Sequence, residues 1–421
     1  MPKDTISNMS ERVMRMSEYL NAFPGYEYKE VDGMIGKQNM YRGTNLGFGG
    51  YVYFEPGIYD NVALLDIQSL HPHSIIAMNK FGEYTKRYQE ILDTRIAIKN
   101  HDYEAASKML NGAFARYLTS DEEADNLATA CKLILNSTYG YCSANFENPF
   151  LDSRDTNNTV ALRGALFMRT LQDEVTSRGF TVCHIKTDSI KIPNATPELI
   201  EFVMGFANKY GYVFEHEASY DRMCLVNGST YIAKYASEEK CQKLYGYTPK
   251  ENRKHPEKWT ATAKQFQVPY VFKTLFSKEP IEFDDLCETF EVKTALYLDK
   301  NEDLPEGEHD YHFIGRVGRF CPIKPGCGGG ELLREGKDAE GNQKFSAATG
   351  SKGYRWLEAE MVKELGKEGD IDLSYYNKLV DDAVDAVSEY GDFEMFASED
   401  TYIVMDRPPW EEDETTAFDV R

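Results

Sequence analysis

The chain has 421 residues, 42% of them hydrophobic and 28% charged, with a formal net charge of −22. That length supports two or three domains with cores of their own. No apolar run is long enough to span a bilayer and no signal-peptide pattern opens the chain, so a cytoplasmic location without a membrane is expected. The eight cysteines are scattered without a CxxC pair, which argues against a zinc site and for reduced thiols. The acidic total also argues against a generic nucleic-acid binder. Its distribution softens that objection. Residues 234–278 hold ten Lys/Arg and four Glu, a balance of +6, which leaves −28 for the remainder. Such a segment reads either as a solvated lysine-rich stretch or as a local phosphate-binding surface.

In chain order, residues 1–30 are polar with a weak helical pattern over 14–20. Gly47-Phe48-Gly49-Gly50 reads as a turn into a strand, and Pro56-Gly57 as a second turn. Residues 62–67 are an apolar run of strand length, so Asp66 ends a buried strand and Pro72 breaks it. Residues 83–140 read as helical, interrupted at Asn100-His101-Asp102. Beyond that break Ala105, Ala106, Met109, Leu110, Ala113, Phe114 and Tyr117 recur at helical spacing. Ser120-Asp121-Glu122-Glu123 is a capping box that starts a new helix near Asp121, antiparallel to its predecessor. Lys132 and Asn136 share one face of it, and Arg95 and Lys99 share a face of the earlier helix. The hairpin brings these four side chains together at its base.

Residues 159–178 read as a helix stopped by Gly179. A strand over 180–186, a tight turn at Thr187-Asp188-Ser189 and a return strand over 190–192 follow, closed by Pro193. A helix over 197–210 and a strand pair ending at 224–234 come next. Residues 281–320 alternate strands and charged turns, and 325–330 form a glycine-rich turn. Amphipathic helices are expected over 352–366 and 373–390. From Asp406 the chain is acidic, and disorder is expected unless a partner holds it.

Two acidic strands bracketing a lysine-bearing helix suit in-line attack on a phosphate. Carboxylates hold divalent cations, cations offset the triphosphate, and the fold aligns both partners. Asp66 and Asp188 are the candidate metal ligands. Each alone would more simply cap a helix or pair with an arginine. Lys132 with Asn136 reads as a triphosphate clamp, joined by Arg95 and Lys99; the alternative is an ordinary exposed helix face. Tyr231 with Lys234 reads as a strand edge or as a contact to a nucleic-acid backbone. The aromatic run around Lys264, from Trp259 to Tyr270, suits either duplex binding or core packing.

Three motifs carry a resemblance. Asp66-Ile67-Gln68-Ser69-Leu70-His71-Pro72, Lys132-Leu133-Ile134-Leu135-Asn136-Ser137-Thr138-Tyr139-Gly140 and Ile185-Lys186-Thr187-Asp188-Ser189 resemble the palm and fingers motifs of family-B DNA polymerases, closest to those of tailed bacteriophages. The resemblance covers about residues 40–280. It implies an α+β, right-hand architecture with palm, helical-hairpin fingers and thumb, plus a C-terminal region. The implied divisions are an N-terminal segment (1–60), palm (61–82), fingers (83–140), palm again (141–235), a basic thumb (236–300), a C-terminal region (301–405) and an acidic tail (406–421). It implies two Mg²⁺ ions, or Mn²⁺, on Asp66, Asp188 and the Ile67 carbonyl. Arg95, Lys99, Lys132 and Asn136 would hold a dNTP, and Tyr139 would lie against the nascent base pair. Primer–template DNA would meet Tyr231, Lys234, Lys264 and Lys186.

Three positions depart from the family pattern. Lys186 replaces the first aspartate of Asp-Thr-Asp, His71 replaces the tyrosine that blocks the ribose 2′-hydroxyl, and Ser229 replaces the lysine of the Lys-x-Tyr element. Only 65 residues precede Asp66, so the expectation is a polymerising chain whose proofreading exonuclease, and other replication proteins, are separate partners. Two rivals stand beside a DNA-directed DNA polymerase of phage-type replication. One is a catalytically inactive family-B paralogue acting as a DNA-binding subunit, for which Lys186 speaks. The other is a reverse transcriptase, which would carry adjacent aspartates where Thr187-Asp188 stands.

Overall fold

The computed structural model describes residues 19–30, 37–144, 146–150, 158–301, 304–305 and 308–398. The helical pattern at 14–18 and the acidic stretch from Asp406 lie outside them. The chain divides between Thr260 and Ala261 into two units. Both are mixtures of helices and antiparallel sheets.

The first unit opens with a small sheet of β1 (Glu27–Glu30), β2 (Lys37–Tyr41) and β3 (Thr44–Asn45). Then come β4 (Val52–Phe54), β5 (Gly57–Ile67) and α1 (Leu70–Ala77). Pro72, expected as a strand breaker, sits in the first turn of α1, where a missing N–H costs nothing. The helical segment is α2 (Thr85–Lys99), α3 (Tyr103–Lys108) and α4 (Asp121–Cys142). The interruption at 100–102 is present, with Asp102 capping α3 through the Ala105 N–H. The helical spacing over 109–117 does not make one helix. Leu110 and Asn111 adopt positive φ, and only short 3-10 turns form there. Ser120 caps α4 by accepting from the Glu123 N–H at 3.2 Å, worth about 1 kcal/mol. The Glu123 carboxylate accepts from Thr119 Oγ1.

Next are α5 (Thr159–Ser177), β6 (His184–Lys186), β7 (Ser189–Pro193) and α6 (Pro197–Asn208). The strand expected from 180 starts only at His184. β8 (Phe214–Asn227), β9 (Thr230–Tyr235), α7 (Glu238–Tyr245), α8 (Lys250–Lys254) and β10 (Trp259–Ala261) complete the set. The large sheet runs β10-β9-β8-β5-β7-β6-β4, with β5 at its centre. Alternation along β5 sends Ala63, Leu65 and Ile67 into a core shared with Leu166 and Phe167 of α5 and Val203 of α6. Val62 and Leu64 pack on the opposite face with Tyr220, Met223 and Ala233. Asp66, two residues after Leu64, therefore stands on the face away from α5 and α6.

The second unit holds α9 (Lys264–Gln267), α10 (Pro269–Phe272) and a five-stranded sheet. Its strands are β11 (Glu288–Asp299), β12 (Tyr311–Ile323), β13 (Glu331–Lys337), β14 (Gln343–Ala347) and β15 (Arg355–Glu358), ordered β14-β13-β11-β12-β15. The helix expected over 352–366 begins as β15. Trp356 is fully buried there, and only α11 (Ala359–Glu364) is helical. α12 (Leu373–Ser388) and α13 (Phe393–Ala397) follow. Segment 236–300 spans the boundary between the units.

Candidate active site

Asp66 lies one residue from the end of β5, paired with Ser189 of β7 on one side and Glu215 of β8 on the other. Asp188 sits in the β6–β7 turn. Its N–H donates to the Lys186 carbonyl at 2.8 Å across Thr187, whose φ is 59°. This is a positive-φ γ-turn, a rare and strained form, and a β-branched residue at its centre costs on the order of 1–3 kcal/mol. Two backbone bonds hold the turn. The Ile67 N–H donates to the Asp188 carbonyl at 2.9 Å, and the Thr187 N–H donates to the Tyr51 carbonyl at 2.9 Å. Gly50 makes this close approach possible, because a Cβ there would stand 2.3 Å from Thr187 Oγ1.

Strand β8 adds two carboxylates. Its register against β5 shifts between Leu64 and Leu65, so Glu217 is an extra, bulged residue beside Glu215. Gln68 Nε2 donates to Glu215 Oε2 at 2.8 Å.

Facing the carboxylates are α2 and α4. Small residues at their contact, Ala97, Ala124, Ala128 and Cys131, let the two helices pack closely. Arg95 and Lys99 of α2, with Lys132 and Asn136 of α4, line one cavity of about 650 Å³ together with Asp66, Ile67 and Asp188. Arg95 also donates to Ser69 Oγ at 3.2 Å. α8 supplies a further wall with Lys250, Glu251 and Lys254. Its anchor is the buried Asn252, which accepts from the Ser219 N–H at 2.7 Å and donates to the Ser219 and Ala236 carbonyls at 2.8 Å each.

Burial, then the charges of Asp188, Glu217 and Glu215, push the Asp66 carboxyl up to about 8; Lys191 opposes them. Burial likewise raises Asp188, against its own backbone N–H and Lys191. Glu217 is raised by burial, then by Glu215 and Glu251. Lys99 is lowered by burial, then by Arg95 and Lys250. The site thus pairs mutually repelling carboxylates with mutually repelling cations. Hard oxygen donors that repel one another fit Mg²⁺ or Mn²⁺. Among the described residues no group of three or more such side chains is already gathered to hold an ion. Mg²⁺ needs only one or two carboxylates, since it keeps several waters.

Several residues singled out in the sequence stand outside the cavity lining. His71 stacks on Tyr139, centroids 3.8 Å apart and planes 18° apart. Asn158 Nδ2 donates to the Tyr139 hydroxyl at 3.2 Å. Burial lowers His71 to about 4, so its ring is neutral, and Nδ1 is buried without a partner among the described residues. Tyr231 packs with Tyr220 and receives the Lys191 ammonium 4.8 Å from its ring centre. Lys234 is buried, 5.9 Å over Trp259. Lys186 is exposed on β6. Lys264 belongs to the second unit, where it pairs with Glu288 at 2.8 Å. Sequence reasoning missed Glu215, Glu217, Lys250 and Lys254. The Glu-x-Glu alternation in β8 and the four-residue lysine spacing in α8 were the available signals.

No family model matches the chain, and no curated protein matches it. Among solved structures it is similar to the family B DNA polymerase from the hyperthermophilic archaeon Pyrobaculum calidifontis, at 13% identity and a TM-score of 0.40. The match covers 89% of this chain and 50% of that one, so the chain spans about half the length of that polymerase. Among the described residues no helix is long and apolar enough to cross a membrane.

Proposed function

We propose that the cavity catalyses nucleotidyl transfer: template-directed addition of dNMP to a primer 3′-hydroxyl with release of pyrophosphate, by a DNA-directed DNA polymerase of family-B, phage-like type. The observation that carries this reading is the meeting, in one cavity, of Asp66 and Asp188 with Arg95, Lys99, Lys132 and Asn136. The motif resemblance supplies the reaction.

In this reading Asp66 and Asp188, with the Ile67 carbonyl, hold two Mg²⁺ ions. Bound there, the ions would activate the 3′-hydroxyl and neutralise charge on the α-phosphate and the departing pyrophosphate. Arg95 offers a fork to phosphate oxygens, while Lys99 and Lys132 act as point charges. The Asn136 amide adds a neutral donor that fixes orientation. The fixed cations need no reorganisation as charge moves to the leaving group. Tyr139, backed by neutral His71, bounds the nascent base pair. Lys186, exposed on β6, and the partly exposed Tyr231 belong to the primer–template path.

Primer extension on DNA and RNA templates tests the proposal. Mg²⁺-dependent incorporation of dNTPs on a DNA template is expected. Preference for an RNA template would point to a reverse transcriptase. No incorporation on either template would leave the inactive DNA-binding subunit, which has only Lys186 behind it.

A further inference from the structure

Lys191 is a buried cation that the proposed reaction does not use. It stands on β7 opposite Leu64 of β5 and His184 of β6, while Ser189, two residues earlier, stands opposite Asp66. Directly paired residues share a sheet face, and alternate residues return to it, so Lys191 lies on the face that carries Asp66. Its sequence neighbours Ile190 and Ile192 enter the core on the other side.

Lys191 is only 3% exposed. His184 Nε2 stands 3.1 Å from the Gly228 carbonyl. A carbonyl only accepts, so Nε2 carries the hydrogen and Nδ1 the lone pair. The Lys191 ammonium, 3.1 Å from Nδ1, is therefore the donor there. Its other near neighbour is the Tyr231 ring, 4.8 Å away. Among the described residues no carboxylate reaches it as an ion-pair partner. An ammonium buried without a counter-charge in contact is costly. Burial brings Lys191 down to about 8, against Cys183 and Asp66, so it stays mainly charged at neutral pH.

The counter-charge lies farther along the same face. Among the charges acting on Asp66, Asp188 and Glu217, Lys191 is the cation common to all three. It does not line the catalytic cavity, so it acts on the carboxylates through its field and not by touching a substrate. We propose that Lys191 is an internal counter-cation of the carboxylate cluster, which steadies the acids and opposes the binding of a divalent cation. Ions are then held loosely until a triphosphate adds its own negative charge. The inference rests on the reading of Asp66 and Asp188 as metal ligands. Lys186, on the strand paired with β7, is also a cation but is exposed, so salt screens it far more than Lys191.

Mn²⁺ alone is the probe, its binding to the full chain followed by electron paramagnetic resonance at neutral pH without nucleotide or DNA. Lys191→Gln removes the charge and keeps an N–H for His184 Nδ1. Lys191→Met removes both at similar length. Each should bind Mn²⁺ at least about tenfold more tightly than wild type, the effect of losing one weakly screened unit charge near a divalent ion. The gain should persist in ~0.5 M KCl, where a surface charge would be screened. A packing role alone would leave the affinity unchanged or weaken it, so tighter binding separates charge from packing. The glutamine variant guards against a folding defect in the methionine variant. Unchanged or weaker binding by Lys191→Gln, with wild type binding Mn²⁺, overturns the proposal and leaves the metal-site reading standing. No Mn²⁺ binding by wild type, or binding that Asp66→Asn leaves unaltered, overturns both.

Discussion

Lys132 stands exposed on α4 with no ion pair among the described residues, so its charge is free for a ligand. Lys132→Ala should raise the KM for dNTP and lower kcat, reducing kcat/KM by about 10–100-fold, the worth of one charge-assisted contact. Affinity for primer–template should change little. Loss of DNA binding with normal dNTP dependence would contradict the placement of Lys132. His184 makes a different kind of prediction. It is fully buried, its Nε2 3.1 Å from the Gly228 carbonyl and its Nδ1 3.1 Å from the Lys191 ammonium. Burial, and then the Lys191 charge, lower it to about 4, with Lys186 adding to the effect. A folded-state value below the unfolded one means stability is full above about 6.5 and is lost as pH falls toward 4. At pH 5 the loss is about 2 kcal/mol. Chemical denaturation across this range should show a shallower acid slope for His184→Gln, and an identical slope would show that His184 is not titrating.

The β6–β7 turn is the element on which the site depends most. Gly50→Ala would drive a Cβ into the Thr187 side chain and shift the turn that carries Asp188. We expect a loss of about 1–3 kcal/mol, seen as a Tm drop of about 2–4 °C per kcal/mol, with activity falling further than stability. Full activity would mean the turn tolerates displacement. Local signals made much of this level legible in the sequence. The Asp66 strand, the Ser120 cap, the Asp188 turn and the i,i+4 pairs on α2 and α4 all depend on residues close in sequence. Failures came where tertiary context decides. Leu110 and Asn111 break a good helical spacing by adopting positive φ, and Trp356 is drawn into a strand by burial in the second sheet. Glu215 and Glu217 escaped notice because they join Asp66 only through pairing across the sheet, 149 residues away for Glu215.

Across the whole molecule, the −22 total hides two concentrated sets of cations, one lining the carboxylate cavity and one on strands β11, β13 and β14. Polyanion binding should therefore be local and strongly weakened by salt, despite the acidic body. The first set faces a cluster of carboxylates in which burial, and then the charges of Asp188, Glu217 and Glu215, raise Asp66 to about 8. Retaining such repulsion sacrifices stability at a functional site. The measurement that tests the central claim most directly is single-turnover dNMP incorporation by Asp66→Asn and Asp188→Asn. The account predicts that each variant keeps or raises the wild-type Tm, because repulsion is relieved, and loses at least about a thousandfold in rate, roughly 4 kcal/mol of transition-state stabilisation. Extension by either variant within about tenfold of the wild-type rate in Mg²⁺ would contradict it.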